Sequence, residues 1–282
     1  MRPLASMKRL LPHLILVAAS VVALYPVLWV LKMALTPSQA FDPSPMPFPS
    51  HATLDNFAVV VGTHDEAGHW LFGRQLANSL IVAGATALVG LTLAGSAAYA
   101  FSRFRFPGRE TALTAFLLSQ IFPGVVMMIP LYILLDAAHL LDSLWGLVLV
   151  YSTTSIPFST WMLKGYGDTL PKELEEAALM DGASRWTLFR RVILPLSRPA
   201  LAVTALFSFM TAWNEYILAA TFTSHPTRYT LPVVLQRYVG EHGTDWGYFA
   251  AGSILTSVVV MGLFFALQRY LVSGLTAGSV KG

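Results

Sequence analysis

Long apolar stretches alternate with short polar ones along this chain, and the charged residues gather in a few places. Residues 11–31 form an apolar run that, as a helix rising about 1.5 Å per residue, crosses about 30 Å of hydrocarbon. Apolar runs at 78–101, 111–135, 144–163, 199–222 and 248–270 predict five further spanning helices. Ala18-Ala19-Ser20 looks like a signal-peptidase site, but the apolar run continues beyond it, so the first run is expected to be an uncleaved span.

The spans differ in character. In 78–101, Gly84, Gly90, Ala94, Gly95 and Ala98 let neighbouring helices approach closely. Pro123-Gly124 and Pro130 predict a kinked or unwound span at 111–135, which a membrane tolerates only against protein or a water-filled cavity. Ser152, Thr153, Thr154, Ser155, Pro157, Ser159 and Thr160 make 144–163 the most polar span, a pattern that helix packing and a transport pathway explain equally well. Between the spans, residues 36–77 begin with five prolines from Pro37 to Pro49 that forbid regular helix, and residues 54–61 are a short helix candidate.

Composition agrees. A chain of 282 residues that is 55% hydrophobic and 12% charged has too few charges to cover a soluble globule, which makes it a polytopic membrane protein. A net charge of +3 does not suggest a nucleic-acid partner, and with no cysteine there is neither a disulfide nor a thiol ligand. The positions of the basic residues are more informative. Arg2, Lys8 and Arg9, then Arg103, Arg105 and Arg109, then Lys164, Lys172, Arg185, Arg190, Arg191 and Arg198, and finally Arg269 and Lys281 all fall on one side of a six-span topology. Arg74, Arg228, Arg237 and the border residue Lys32 fall on the other. The positive-inside rule then puts both termini in the cytoplasm and the loops 36–77 and 223–247 outside.

The longest charged segment, 164–198, predicts two short helices separated by a bend. Pro171 suits a first turn that Asp168 or Thr169 would cap, and Glu173, Glu175 and Glu176 complement its dipole. Asp181-Gly182 ends that helix, and Ser184 caps a second one carrying Arg185, Arg190 and Arg191.

Candidates for chemistry are few. No Gly-rich loop ending in Gly-Lys-Ser/Thr is present, so another chain must hydrolyse any ATP that powers this protein. His64 and His69 lack a third ligand, no Gly-x-Ser-x-Gly elbow occurs, and no paired carboxylates lie in a span. Glu215 is the ionisable residue well inside a span. With Asn214 it could bind sugar hydroxyls while Trp213 and Tyr216 stack on a pyranose face; alternatively it caps or pairs with a neighbouring loop.

The order Glu176-Ala177-Ala178, two residues, Asp181-Gly182-Ala183, eight residues, then Val192, Ile193 and Leu194-Pro195 resembles the signature loop of binding-protein-dependent ABC importer permeases. Val192 stands where isoleucine is usual. With six spans, Ala212-Trp213-Asn214-Glu215-Tyr216 and the ending Gly274 to Gly282, most of the chain is similar to the MalG-type permeases of carbohydrate importers, of maltose/maltodextrin type.

That resemblance implies an all-α, six-helix type I importer permease of MetI-like fold, located in a bacterial or archaeal inner or plasma membrane. It divides the chain into an N-terminal transmembrane helix (1–35), an extracytoplasmic loop (36–77), a five-helix permease core (78–270) and a cytoplasmic tail (271–282). It implies that Glu176, Ala177, Ala178, Asp181, Gly182, Ala183, Leu194 and Pro195 couple to an ATPase. The loop from Thr223 to Gly247 would then meet an extracytoplasmic sugar-binding protein, and Trp213, Asn214, Glu215 and Tyr216 are pathway candidates. The implied partners are a MalF-like second permease and a homodimeric MalK-like ABC ATPase, which holds ATP and Mg; this chain needs no cofactor or metal and is not an enzyme. ATP-driven closure of the ATPase would move residues 168–195 and turn the cavity outward, and hydrolysis would reset it inward. The alternatives are a permease for another solute, such as glycerol phosphate or oligopeptide, and an ion-coupled secondary transporter using Glu215.

Overall fold

The structure, a computed structural model, describes the backbone of residues 3–122, 124–240 and 243–277, with side chains from 11–122, 124–240 and 243–270. Pro123 of the expected kink, the basic side chains of Arg2, Lys8, Arg9 and Lys281, and the side chains of the 274–282 ending lie outside the described residues. The chain divides into two compact units, Met1–Gly73 with Val234–Val258 and Arg74–Val233 with Val259–Gly282.

All six apolar stretches fold as helix, in three ways. Helices α1 (Pro3–Leu35), α3 (Leu71–Arg103) and α13 (Trp246–Ala277) run longer than predicted. Among the described residues, these three are long and apolar enough to cross a membrane unbroken. The most polar stretch is one helix of 26 residues, α6 (Leu144–Thr169). The other two are broken: one into α4 (Arg109–Ser119) and α5 (Met128–Ala137), the other into α10 (Arg198–Trp213) and α11 (Ile217–Phe222). Between α6 and α10 lie α7 (Glu173–Met180), α8 (Arg185–Leu188), a wider π turn at Phe189–Ile193 and α9 (Leu194–Leu196).

In the first unit, the Pro-rich segment after α1 is held by side chains. Asn56 of α2 (Asp55–Val61) is buried and donates to the carbonyls of Ala34 (3.0 Å) and Thr36 (2.7 Å) while accepting from Gln39 Nε2 (2.7 Å). Gln39 in turn accepts from the backbone N–H of Trp246 and of Tyr248. Lys32, read from the sequence as a border residue, is 3% exposed and pairs with Asp42 at 2.6 Å. This hydrogen bond leads the interactions that hold the Asp42 carboxyl below its ordinary value. A small hairpin, β1 (Val239–Gly240) with β2 (Gly243–Thr244), follows α12 (Leu231–Arg237).

In the second unit, α6 and α10 pack around a buried hydroxyl cluster. Ser155 Oγ donates to Ser208 Oγ at 2.7 Å, and Ser159 lies 3.1 Å from the same oxygen. Ser152 and Thr160 are buried with them, so most of the polar residues of α6 serve helix packing, whereas Thr153 and Thr154 are exposed. Gly90 permits this: a Cβ there would stand 3.0 Å from Ser155 Oγ and 3.6 Å from Ser208 Oγ. Gly90→Leu should therefore overpack the cluster and cost about 1–3 kcal/mol, read as a lower thermal midpoint in detergent. Gly84→Ala, with nothing within 4 Å of the added carbon, is the control.

Candidate functional site

The first candidate is built on the short helix α7. Leu170 is extended (ψ 131°), as a residue before proline should be, so α6 runs on to Thr169 and stops there. This corrects the expected cap: Asp168 and Thr169 belong to the end of α6, and α7 begins at Glu173, two residues after Pro171. Asp168 instead takes a bond from Lys164 Nζ at 2.6 Å and one from Ser102 Oγ at 2.6 Å.

The end of α7 follows the sequence closely. Gly182 adopts φ +83°, its N–H donates to Leu179 O, and the Ala183 N–H donates to Ala178 O, both at 3.0 Å. These two bonds satisfy the last carbonyls of the helix in a Schellman arrangement, which needs a residue free to be left-handed. Ser184 caps α8, accepting from the Thr187 N–H at 3.2 Å. The helical line from Arg185 to Leu196 meets α10 at a bend of 77°, where Pro195 and Pro199 each remove a backbone donor.

Burial divides the residues of this segment. Glu175 points inward, whereas Glu176, Ala177, Asp181 and Gly182 are exposed, and Ala178, Ala183, Leu194 and Pro195 are half-buried. Large apolar side chains stand in solvent beside the charges: Leu174, Met180 (88% exposed) and Trp186. A polar, charged segment that shows this much apolar surface carries the marks of a contact site.

The other candidate, residues 213–216, falls at the break between α10 and α11. Trp213 is 2% exposed and stacks on Phe209 at 5.4 Å, so it offers no face to a sugar. The Glu215 carboxylate accepts the Tyr151 hydroxyl at 2.7 Å and the N–H groups of Leu218 (2.9 Å) and Ala219 (3.0 Å). Glu215 thus caps α11 and fastens it to α6, the second of the two readings the sequence allowed. Asn214 and Tyr216 remain exposed.

The loop 223–247 has an anchor the sequence did not single out. Asp142, at φ 52°, accepts from the backbone N–H of Ser224 (2.8 Å) and of His225 (3.2 Å), and meets the His225 ring at 2.6 Å. Asn78 donates to the carbonyls of Thr227 and Tyr229, and Ser79 accepts the Leu231 N–H. Burial raises the Asp142 pKa, but the Ser224 and His225 bonds outweigh it and hold the carboxyl below its ordinary 3.8. A carboxylate lowered in this way stabilises the docked loop above its ordinary pKa and loses that contribution as pH falls through the lowered value. Amide-exchange protection at Ser224 and His225 should fall below about pH 4, and Asp142→Asn should abolish that transition.

The chain matches the family model described as binding-protein-dependent transport system inner membrane component over residues 87–276. It is 38% identical over 275 residues to the diacetylchitobiose uptake system permease protein DasC of Streptomyces coelicolor, covering 97% of this chain and 98% of that one. It is 41% identical over 211 residues to the maltose/maltodextrin transport system permease protein MalG of Salmonella typhimurium, covering 73% and 71%. In fold, it is similar to a chain of a crystal structure of a bacterial ABC transporter involved in import of the acidic polysaccharide alginate. The TM-score there is 0.77 at 21% identity, over 96% of this chain and 99% of that one. The chain therefore belongs to the binding-protein-dependent transport system inner membrane components, the permease subunits of ABC importers, which are not enzymes.

Proposed function

We propose that this permease carries an oligosaccharide inward across the membrane by alternating access, powered through α7 by a separate ATPase. The observation that carries the reading is the outward face of α7 and α8, where Leu174, Met180 and Trp186 stand exposed among Glu176, Asp181 and Arg185. Such a face is stable in water only at a cost, and a cleft on a partner relieves it. Glu176, Ala177, Ala178, Asp181, Gly182 and Ala183 would seat in that cleft, with Leu194 and Pro195 setting the bend behind them. The ATPase would be a homodimer that binds ATP and Mg itself, and a second permease would close the pathway.

The sugar class rests on the relatives, whose names assign diacetylchitobiose and maltose or maltodextrin to them. Asn214 and Tyr216 are the side chains we assign to the pathway, with Trp213 and Glu215 supporting them from behind. Residues 78–270 would act as the permease core after a first helix (1–35) and an outer loop (36–77), and residues 271–282 would form a cytoplasmic tail. The loop 223–247 would face a sugar-binding protein outside, with both termini inside. The test is reconstitution of the complex purified from its native membrane, assayed for ATP turnover against a panel of sugar-loaded binding proteins. Stimulation by one loaded binding protein is expected; turnover indifferent to all of them would overturn the reading.

A further inference from the structure

Three residues, Leu170 to Lys172, join α6 to α7. A link this short but unpaired would let α7 pivot, and a push on it would be spent in the pivot. Arg103, the last residue of α3, prevents this. Its Nε donates to the Glu175 carboxylate of α7, and its Nη2 donates to the Leu170 carbonyl at 3.0 Å, so one guanidinium holds both the linker and the helix. Both side chains are 7% exposed. Nη1 reaches Ser102 Oγ at 3.0 Å, and that hydroxyl continues to Asp168 and so to Lys164 on α6. The ends of α3 and α6 and the start of α7 are thereby joined in one polar network.

A small pocket of about 30 Å³, partly open to the surface, lies beside this network against Gly95, Tyr99, Ser102, Arg103, Phe189 and Ile193. A buried ion pair fixes direction more than it adds stability, because desolvation consumes much of its Coulomb gain.

We infer that the Arg103–Glu175 ion pair is the positioning contact through which movement of α7 reaches α3 and α6. This rests on the reading that α7 docks an ATPase. Glu175 takes no part in that docking, since it faces the membrane helices while Glu176 faces out. The geometry therefore separates two functions on adjacent residues: Glu176 holds the partner and Glu175 passes on its motion.

The experiment uses the whole complex in proteoliposomes and reads sugar moved per ATP hydrolysed. Glu175→Gln keeps the shape and removes the charge. It should co-purify with the ATPase at the wild-type yield, hydrolyse ATP, and lose about tenfold in sugar per ATP, within the usual range of coupling between sites. Glu175→Asp, which restores the charge on a shorter stem, should recover much of that ratio. Arg103→Lys keeps a cation but loses the fork that grips Leu170, and should lower the ratio as well. An unchanged ratio in Glu175→Gln and Arg103→Lys would overturn the inference, as would a fall in transport that only tracks the yield of assembled complex. If the wild-type chain itself brings down no ATPase, the docking reading falls and takes this inference with it.

Discussion

A chain carrying Glu176→Lys is expected to insert and fold but to leave its ATPase behind during purification. Glu176 is exposed on α7, and its bond within the helix is made by its backbone N–H to the Lys172 carbonyl, which a substitution keeps, so reversing its charge leaves the fold intact. At the docked face the same change buries a charge of the wrong sign, and a central contact of this kind is worth about 2–4 kcal/mol, roughly a hundredfold or more in affinity. Gly182 supplies an independent arm. A Cβ at Gly182 meets nothing within 4 Å, so Gly182→Ala clashes with no neighbour, but it must hold φ +83° at a strain of about 1–2 kcal/mol. It should loosen the Schellman end of α7 and weaken docking by less than Glu176→Lys. Retained docking of both variants in pull-downs would remove the assignment of this face.

Glu215→Ala should be the most damaging single change outside residues 164–198. It leaves the Tyr151 hydroxyl and the N–H groups of Leu218 and Ala219 without their acceptor, each at about 1–3 kcal/mol when buried. The yield of folded protein and its thermal midpoint should both fall. Glu215→Gln retains one acceptor oxygen and should fold better, with ATP-driven uptake surviving. An ion-coupled carrier that used Glu215 would behave oppositely, folding normally as Gln while losing its gradient dependence.

Much of this was legible in the sequence because it is local. Apolar run length places the six helical stretches, and one of the two breaks lies between Ser119 and Met128, in the span whose Pro-Gly pair predicted unwinding, whereas Pro130 sits in the first turn of α5. The end of α7 could be read residue by residue, since Asp181-Gly182 and Ser184 act on their own neighbours. Where the sequence reading failed, distance along the chain was the reason. The helix phase that turns Glu175 in and Glu176 out is set by Arg103, 72 residues away, and Trp213 is buried by tertiary packing that its aromatic character does not announce.

The cap assigned to Asp168 or Thr169 failed for a local reason: Leu170 is forced extended by Pro171, so α6 absorbs both residues. The second break was missed because no proline or glycine marks 214–216; a carboxylate that turns back to cap the next helix does the work there. A Glu two residues ahead of an apolar helix start was the signal available. The Lys32–Asp42 pair and the Asn56–Gln39 staple likewise depend on contacts across loops that no periodicity records.

The central claim, that the exposed face of α7 seats the ATPase, can be measured at one atom. The chain contains no cysteine, so Met180→Cys introduces a unique thiol at a position that is 88% exposed in the isolated chain. Labelling by a membrane-permeant thiol reagent should be fast in membranes holding this chain without the ATPase and at least tenfold slower when the ATPase is present, as expected where a contact shields most of a side chain. Equal labelling in both membranes would contradict the account.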